Sequence, residues 1–431
     1  MKFILVVLIV FTAGLNYSQE QSLRGVILDK DSKSPLIGAN VIVVDVDPII
    51  GAATDFDGRF KIEKVPLGRH TIQISFIGYE TKTMPNIEVT SGKEVILNVE
   101  LQESILIDEV VIEARQDKDK TINKMASVSA RTFSIDETMR YAGSLNDVAR
   151  MAQNFAGVQG ADDSRNDIVI RGNSPTGVLY RLEDVDIPNP NHFALNGTTG
   201  GPVSILNNNV LDNSDFMTGA FPAEYGNANA GVFDLNLRNG NNQKHEFLGQ
   251  VGFNGFEGMA EGPFSKKSRA SYAINYRYSV LQLLSLMGIN FGTSATPQYQ
   301  DLSFKINIPH KQGVTSFFGI GGISKVQILA KESEGTNDLY AIGGSNTNFK
   351  SMVGFTGINH KQRLKKNSFL KLSVGVQGST NTIINDTVDV NFENPFNVYR
   401  KNSVTGKVSA NVHYINKISP KHYIKTGVFT D

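Results

Sequence analysis

Asp167-Ile168-Val169-Ile170-Arg171-Gly172-Asn173 is a short β-prone run that ends in a glycine turn. Around it the chain changes element every few residues. Residues 144–151 read as a short helix, with Ser144 as its cap, Asp147 three positions on, and Leu145, Val148, Ala149 and Ala152 on one side. Residues 178–182 read as a second strand, and Glu183-Asp184-Val185-Asp186-Ile187-Pro188 leads into a loop rich in Asn and Pro. Val203-Ser204-Ile205-Leu206 is expected to begin another short helix, and residues 232–238 close the region as a largely alternating strand. Phe221-Pro222-Ala223-Glu224-Tyr225-Gly226 lies just before that strand. Residues 121–242 therefore read as a small mixed α/β domain.

Bulk composition narrows what such a domain can serve. The 431 residues suffice for two or three domains, each with its own core. Lys and Arg number 42 and Asp and Glu also number 42, so no net field steers the chain toward nucleic acid. There is no cysteine, which removes disulfides, thiolate metal sites and thiol nucleophiles. Forty glycines and frequent Asn after residue 190 argue against a largely helical fold. At the N-terminus Lys2 precedes an apolar run through residues 3–10, too short to span a bilayer as a helix but right for a signal peptide. Residues 1–18 are assigned to that signal, with Gln19 at the mature start.

Residues 19–103 read as a β-sandwich, with strands expected at 23–28, 40–46, 60–62, 70–76 and 95–101 between turn formers such as Asp57-Gly58 and Ser91-Gly92. Asp55 and Asp57 lack the later Glu and the spacing of a calcium loop, so a hairpin turn is expected there. Residues 104–120 follow as a linker. Its run Asp108-Glu109-Val110-Val111-Ile112-Glu113-Ala114 could add as a strand to a partner's sheet edge or end the sandwich, before dense mixed charge at 115–120.

Two resemblances organise these readings. Gly25-Val26, Leu36-Ile37-Gly38-Ala39-Asn40-Val41, Thr54-Asp55-Phe56-Asp57-Gly58-Arg59-Phe60 and Ser75-Phe76-Ile77-Gly78-Tyr79 resemble the carboxypeptidase regulatory-like domain, a noncatalytic accessory sandwich. Ile170-Arg171-Gly172, residues 182–190, residues 216–226 and Gly231-Val232-Phe233 resemble, in order, the plug of a TonB-dependent outer-membrane receptor of the Bacteroidetes type. The resemblance implies that Asp108, Glu109, Val110, Val111 and Ile112 lie in the Ton box region. It implies that the plug charges Arg171, Glu183, Glu224 and Arg238 contact a barrel wall. The loop with Asn189, Asn191, His192, Phe193 and Asn196 is a candidate for the ligand-facing apex. His192 has no second metal ligand at a recognisable spacing, and the charges at Asp162, Asp163 and Asp167 read as a solvated loop.

From residue 243 onward the alternation fits about eight strands of a transmembrane barrel. They are expected at 245–256, 271–279, 299–308, 314–323, 349–358, 369–377, 404–414 and 423–429, with a turn over 261–268 and a long outer loop over 381–400. Tyr272, Ile274, Tyr276 and Tyr278 share one face of their strand, opposite Ser271, Ala273, Asn275 and Arg277. Eight strands enclose no room for a plug of about 120 residues, which needs a barrel nearer the 22-strand class. The reading is thus mainly β: a sandwich, a mixed α/β plug and, over 243–431, the first part of a large antiparallel barrel. It is expected to be a fragment or truncated product.

No nucleophile–base pair, metal cluster or phosphate-binding loop stands out, so no catalytic residue, cofactor or metal is expected. The partners implied are a periplasmic TonB-type energy-transducing protein, outer-membrane lipid and an unknown extracellular substrate, with no nucleic acid. The rival readings are a surface binding or adhesion module and a receptor that does not transport.

Overall fold

The computed structural model describes residues 20–104, 121–126, 128–195, 197–252, 255–265, 268–279, 297–333, 344–389, 391 and 394–431. The signal assignment, residues 108–112 and Asn196 lie outside these. The described chain divides into two compact units. One takes in residues up to 117 together with 364–369 and 415–425, and the other takes in 118–363, 370–414 and 426–431.

The first unit is built on seven strands: β1 (Glu20–Asp29), β2 (Asn40–Val43), β3 (Ile50–Ala53), β4 (Arg59–Pro66), β5 (Gly68–Ser75), β6 (Lys82–Val89) and β7 (Val95–Leu101). They form a three-stranded sheet in the order β4-β1-β7 and a four-stranded sheet in the order β3-β2-β5-β6. Alternate residues Leu23, Ile27, Val41, Val43, Ile72, Ile74, Val99 and Leu101 are buried in one core. The two strands that the sequence reading passed over, β3 and β6, are both edges of the second sheet. Pro85 in β6 is the reason for one omission, since proline is tolerated at an edge but argues against a central strand. At the 55–59 turn, Asp55 Oδ1 accepts from the backbone N–H of Asp57 (2.9 Å) and of Arg59 (2.8 Å). The carboxylate closes a tight turn, but the expected hairpin is not formed, because β3 and β4 on either side belong to different sheets.

An ion cluster ties the 415–425 segment into this unit. Lys417 Nζ lies 2.8 Å from Asp29 Oδ2 and from Glu103 Oε2, and 3.6 Å from Asp31 Oδ2. Tyr79 donates its hydroxyl proton to Asp29 at 2.7 Å. Burial opposes ionisation of Asp29, but Lys417 and the donors from Ser32 and Tyr79 outweigh it and hold the carboxyl down at about 2.

The second unit holds the mixed region and a long sheet. The mixed region contributes β8 (Ala130–Phe133), helix α1 (Ile135–Arg140), helix α2 (Val148–Ala152), β9 (Val158–Gly160), β10 (Ile168–Ile170), β11 (Val178–Leu182), β12 (Val185–Ile187), β13 (Asn191–His192), β14 (Val203–Ser204), β15 (Ser214–Met217) and β16 (Gly231–Leu235). Five of these make a sheet in the order β12-β11-β16-β15-β8. Two helix expectations need correction. Leu145 and Asn146 take positive φ and break the run, so α2 starts only at Val148, capped by Asp147, which accepts from Ala149 N at 2.8 Å. Residues 203–204 are a strand, paired with 191–192. Helix α1 went unread although Ser134 caps Glu137 N at 3.1 Å, in the Ser-x-x-Glu pattern of a capping box.

The long sheet is a nine-stranded meander in sequence order: β17 (Glu246–Gly252), β18 (Gly255–Pro263), β19 (Ser271–Tyr278), β20 (Gln298–Pro309), β21 (Gly313–Ile328), β22 (Ser345–Lys365), β23 (Ser368–Thr387), β24 (Phe396–Ser419) and β25 (His422–Thr430). The expected strand over 245–256 is instead a hairpin, β17–β18, and Glu261 lies in β18 and not in a turn. The expected outer loop over 381–400 is shorter, because β23 runs on to Thr387 and β24 begins at Phe396. Polar residues inside these strands hid their length.

Alternation in the long sheet is inverted relative to a soluble sheet. In β19, Ser271, Ala273, Asn275 and Arg277 are buried, while Ile274, Tyr276 and Tyr278 are 41–45% exposed. Leu302, Phe317, Ile323, Met352, Ile358, Leu372, Val376, Val408 and Val412 continue the exposed apolar face. Phe318, Ile320 and Phe355 turn the other way and join one core with Tyr180, Val185, Ile187, Phe216 and Phe233 of the mixed region.

Candidate functional site

The Arg171-Gly172 turn is the tip of a two-residue hairpin. Ile170 and Asn173 bridge, with Arg171 at φ 50° and Gly172 at φ 79°, the pair of left-handed conformations of a type I′ turn. Arg171 donates from Nη2 to Ser129 Oγ (2.9 Å) and Thr218 Oγ1 (3.2 Å), so its bonds stay within the mixed region. Glu224 accepts from Asn123 Nδ2 of the same region at 2.8 Å.

Glu183 and Arg238 reach the long sheet. Glu183-Asp184 form the tip of the β11–β12 hairpin, with φ of 52° and 68°. Neither residue is glycine, so the turn is held against its own preference by what surrounds it. Lys305 Nζ of β20 lies 2.6 Å from Glu183 Oε1. Asn359 of β22 donates to the Glu183 carbonyl (3.0 Å) and to its Oε2 (3.1 Å). Lys371 of β23 pairs with the Asp184 carboxylate, and Asn411 of β24 donates to the Asp184 carbonyl at 2.6 Å. Four strands of the long sheet thus grip one turn. Arg238 meets Glu261 of β18 through two parallel bonds, 2.7 and 2.8 Å. Such a bidentate pair fixes geometry more than it adds net stability, because burial desolvates both partners.

The residues proposed for an apex divide. Asn189 Nδ2 donates to Thr198 O (3.0 Å) and Gly200 O (2.9 Å), and Asn191 Nδ2 to Asn189 Oδ1 (2.7 Å), so these amides brace their own loop. His192 and Phe193 are buried. His192 Nε2 lies 2.9 Å from Asp301 Oδ2, and Arg277 Nε donates to that oxygen at 2.8 Å. Burial pushes the imidazole pKa down, and Asp301 only partly offsets it. The ring is therefore neutral near pH 7. Its Nδ1 has no partner among the described residues, so the proton sits on Nε2 and is donated to Asp301. The ring fits because Gly322 stands opposite: a Cβ there would come within 2.6 Å of His192 Cε1. Phe193 packs with Tyr299 and Phe349.

Sequence reading missed the gripping residues Lys305, Asn359, Lys371, Asn411, Asp301 and Glu261. One signal was present: polar side chains alternate with apolar ones inside the strands, as Asn275 and Arg277 do in β19. Among the described residues no group of three or more His, Asp or Glu is placed to hold a metal ion.

Residues 23–112 match the family model of the CarboxypepD_reg-like domain. That match runs on through 108–112. The chain is 31% identical over 182 residues to TonB-dependent receptor P39 of Formosa agariphila, covering 41% of this chain and 16% of the relative. It is 23% identical over 295 residues to the TonB-dependent transporter Oar of Myxococcus xanthus, covering 66% of this chain and 27% of the relative. This chain is similar to TonB-dependent receptors. A ferric enterobactin receptor of Pseudomonas aeruginosa aligns over 70% of this chain and 48% of its own length, at 11% identity and a TM-score of 0.48. The receptor-like chain is mostly β, with an N-terminal β-rich domain, a mixed α/β region and an antiparallel sheet that resembles the start of a barrel. It spans 16% and 27% of the two curated relatives' lengths.

Proposed function

We propose that this chain forms the plug and part of the wall of an energy-coupled import receptor in the cell outer membrane. One observation carries the reading: the Glu183-Asp184 hairpin is seated on the polar inner face of a sheet whose other face is apolar and exposed. A sheet with that distribution suits lipid outside and a plug inside. Residues 19–103 are the accessory sandwich, 104–120 the coupling linker, 121–242 the plug and 243–431 the wall. A periplasmic TonB-type protein would add a strand to the run at 108–112 and pull. The plug charges Glu183 and Arg238 would then hold the plug until that pull arrives. An extracellular substrate of unassigned class would meet the loop that Asn189 and Asn191 brace. Import changes no bond in the substrate, so it needs no catalytic group.

A receptor containing this sequence should fractionate with outer membranes and resist carbonate extraction. Deleting 108–112 should abolish uptake of its substrate and leave surface binding intact. Recovery as a soluble periplasmic protein, or loss of binding with the deletion, would sink the proposal.

A further inference from the structure

The segment that leaves the linker, residues 121–126, is fastened to the plug through the buried carboxylate of Asp215, beside a 3.2 Å bond from Ile122 N to Thr132 Oγ1 and the packing of Ala126 with Met217 and Val232. Asp215, in β15, is 1% exposed. Its Oδ1 accepts from Ile122 N (3.0 Å) and from Thr132 Oγ1 (2.5 Å), and its Oδ2 accepts from Asn123 N (2.7 Å). Asn123 then reaches on through Nδ2 to Glu224 Oε1 and to Tyr225 Oη, both at 2.8 Å. Tyr225 in turn donates to Asp234 Oδ2 at 2.6 Å.

Register explains why these groups meet. Thr132, Asp215, Asp234, Arg181 and Asp186 are successive cross-strand partners over β8, β15, β16, β11 and β12, so they form one row on one face of the sheet. The next row is Arg131, Phe216, Phe233, Tyr180 and Ile187. Successive side chains point to opposite faces, and Phe216, Phe233, Tyr180 and Ile187 lie in the plug core. The polar row therefore faces away from that core, where 121–126 and 224–225 bond to it. β15 is hydrogen-bonded on both sides, by β16 and β8, so Asp215 is carried by the sheet's interior and not by a fraying edge.

We propose that Asp215 is the positioning residue through which tension on the 104–120 linker enters the plug, with Asn123 as the clip it holds. This rests on the import reading for the natural source of tension. Two backbone N–H groups and one amide must let go together before 121–126 can straighten. Their release lengthens the linker while the five-stranded sheet stays whole. Glu224 thereby acquires a role different from a contact with the barrel wall: it receives the clip.

The test pulls a receptor containing this sequence, folded in lipid, between Gln116→Cys in the linker and Lys311→Cys in the β20–β21 turn; the present sequence has no other cysteine. The wild-type sequence should show a first step of roughly 20 Å, the length of the freed segment at full extension, before any larger unfolding. Asp215→Ala should lower the force of that step most, and Asn123→Ala should lower it by less. Amide exchange at Ile122 and Asn123 should accelerate at least tenfold in both variants, with Phe216 and Phe233 unchanged. A step of unaltered force in either variant overturns the proposal. So does loss of protection at Phe216 and Phe233 together with 122–123 in Asn123→Ala, a variant that leaves the sheet's own side chains in place. Because the instrument supplies the force, failure here leaves the import reading standing, and failure of import leaves the clip measurable.

Discussion

β5 of the sandwich and β19 of the long sheet alternate with the same period and opposite content. In β5 the buried positions include Ile72 and Ile74; in β19 they are Ser271, Ala273, Asn275 and Arg277, and the apolar residues point out. A period of two says only that a strand has two unlike faces. Which face is covered depends on what lies beyond it. Apolar side chains leave water for the sandwich core, whereas in the long sheet they are shown outward and the polar ones meet the plug.

The largest effect is expected where the polar inner face grips the plug. Lys305→Met leaves Glu183 buried without its cation, and should loosen the plug by about 3–5 kcal/mol, measured by denaturant-dependent amide exchange in β11 and β12. Adding Glu183→Met should restore most of the loss, since a buried pair gains little over apolar neighbours. If the single variant costs nothing, the grip is ornamental.

Next comes the polar row. Burial and the nearby Asp184 charge push Asp234 up to about 7, against the pull of Tyr225 and Arg181. The folded pKa is raised above the unfolded value of about 3.9. Asp234 therefore favours the fold fully below that value, and its contribution is lost as pH rises through 7. Plug stability should fall over that window by on the order of 3 kcal/mol, and Asp234→Asn should flatten the slope. A profile that does not fall between pH 4 and 7 in the wild type, or is unchanged in the variant, would show that Asp234 does not set the pH dependence.

A charge on the exposed apolar face measures the same contrast from the other side. Met352→Arg in β22 should cost about 2–4 kcal/mol for folding of the receptor into lipid vesicles if the residue sits at mid-bilayer, and less nearer an interface. No cost would mean that this face does not meet lipid. The smallest effect belongs to the conventional core: Ile74→Val should lower sandwich stability by about 0.5–1.5 kcal/mol in denaturant titration.

Much of this was legible in single residues. The Asp57-Gly58 turn, the run at 178–182 and the alternation of 271–278 are local, and local patterns carry over into the fold. Misreadings cluster where a distant group decides. Residues 203–204 pair with 191–192 and so become a strand, despite an apolar run that could start a helix. Phe193 and His192, placed by sequence in a candidate ligand-facing loop, are buried against Tyr299, Asp301 and Ser324. The four plug charges look alike in sequence, yet Glu183 and Arg238 bond to the long sheet while Arg171 and Glu224 bond to residues of the mixed region.

Composition, turn chemistry and periodicity were enough to divide the chain into sandwich, plug candidate and long sheet, because each depends on neighbours within a few positions. Partners were not. That Lys305 meets Glu183, that His192 leans on Gly322, and that Asp215 clasps the backbone of 122–123 depend on strand register. Register brings together residues tens to more than a hundred positions apart, and one residue of slip would turn each of them to the opposite face.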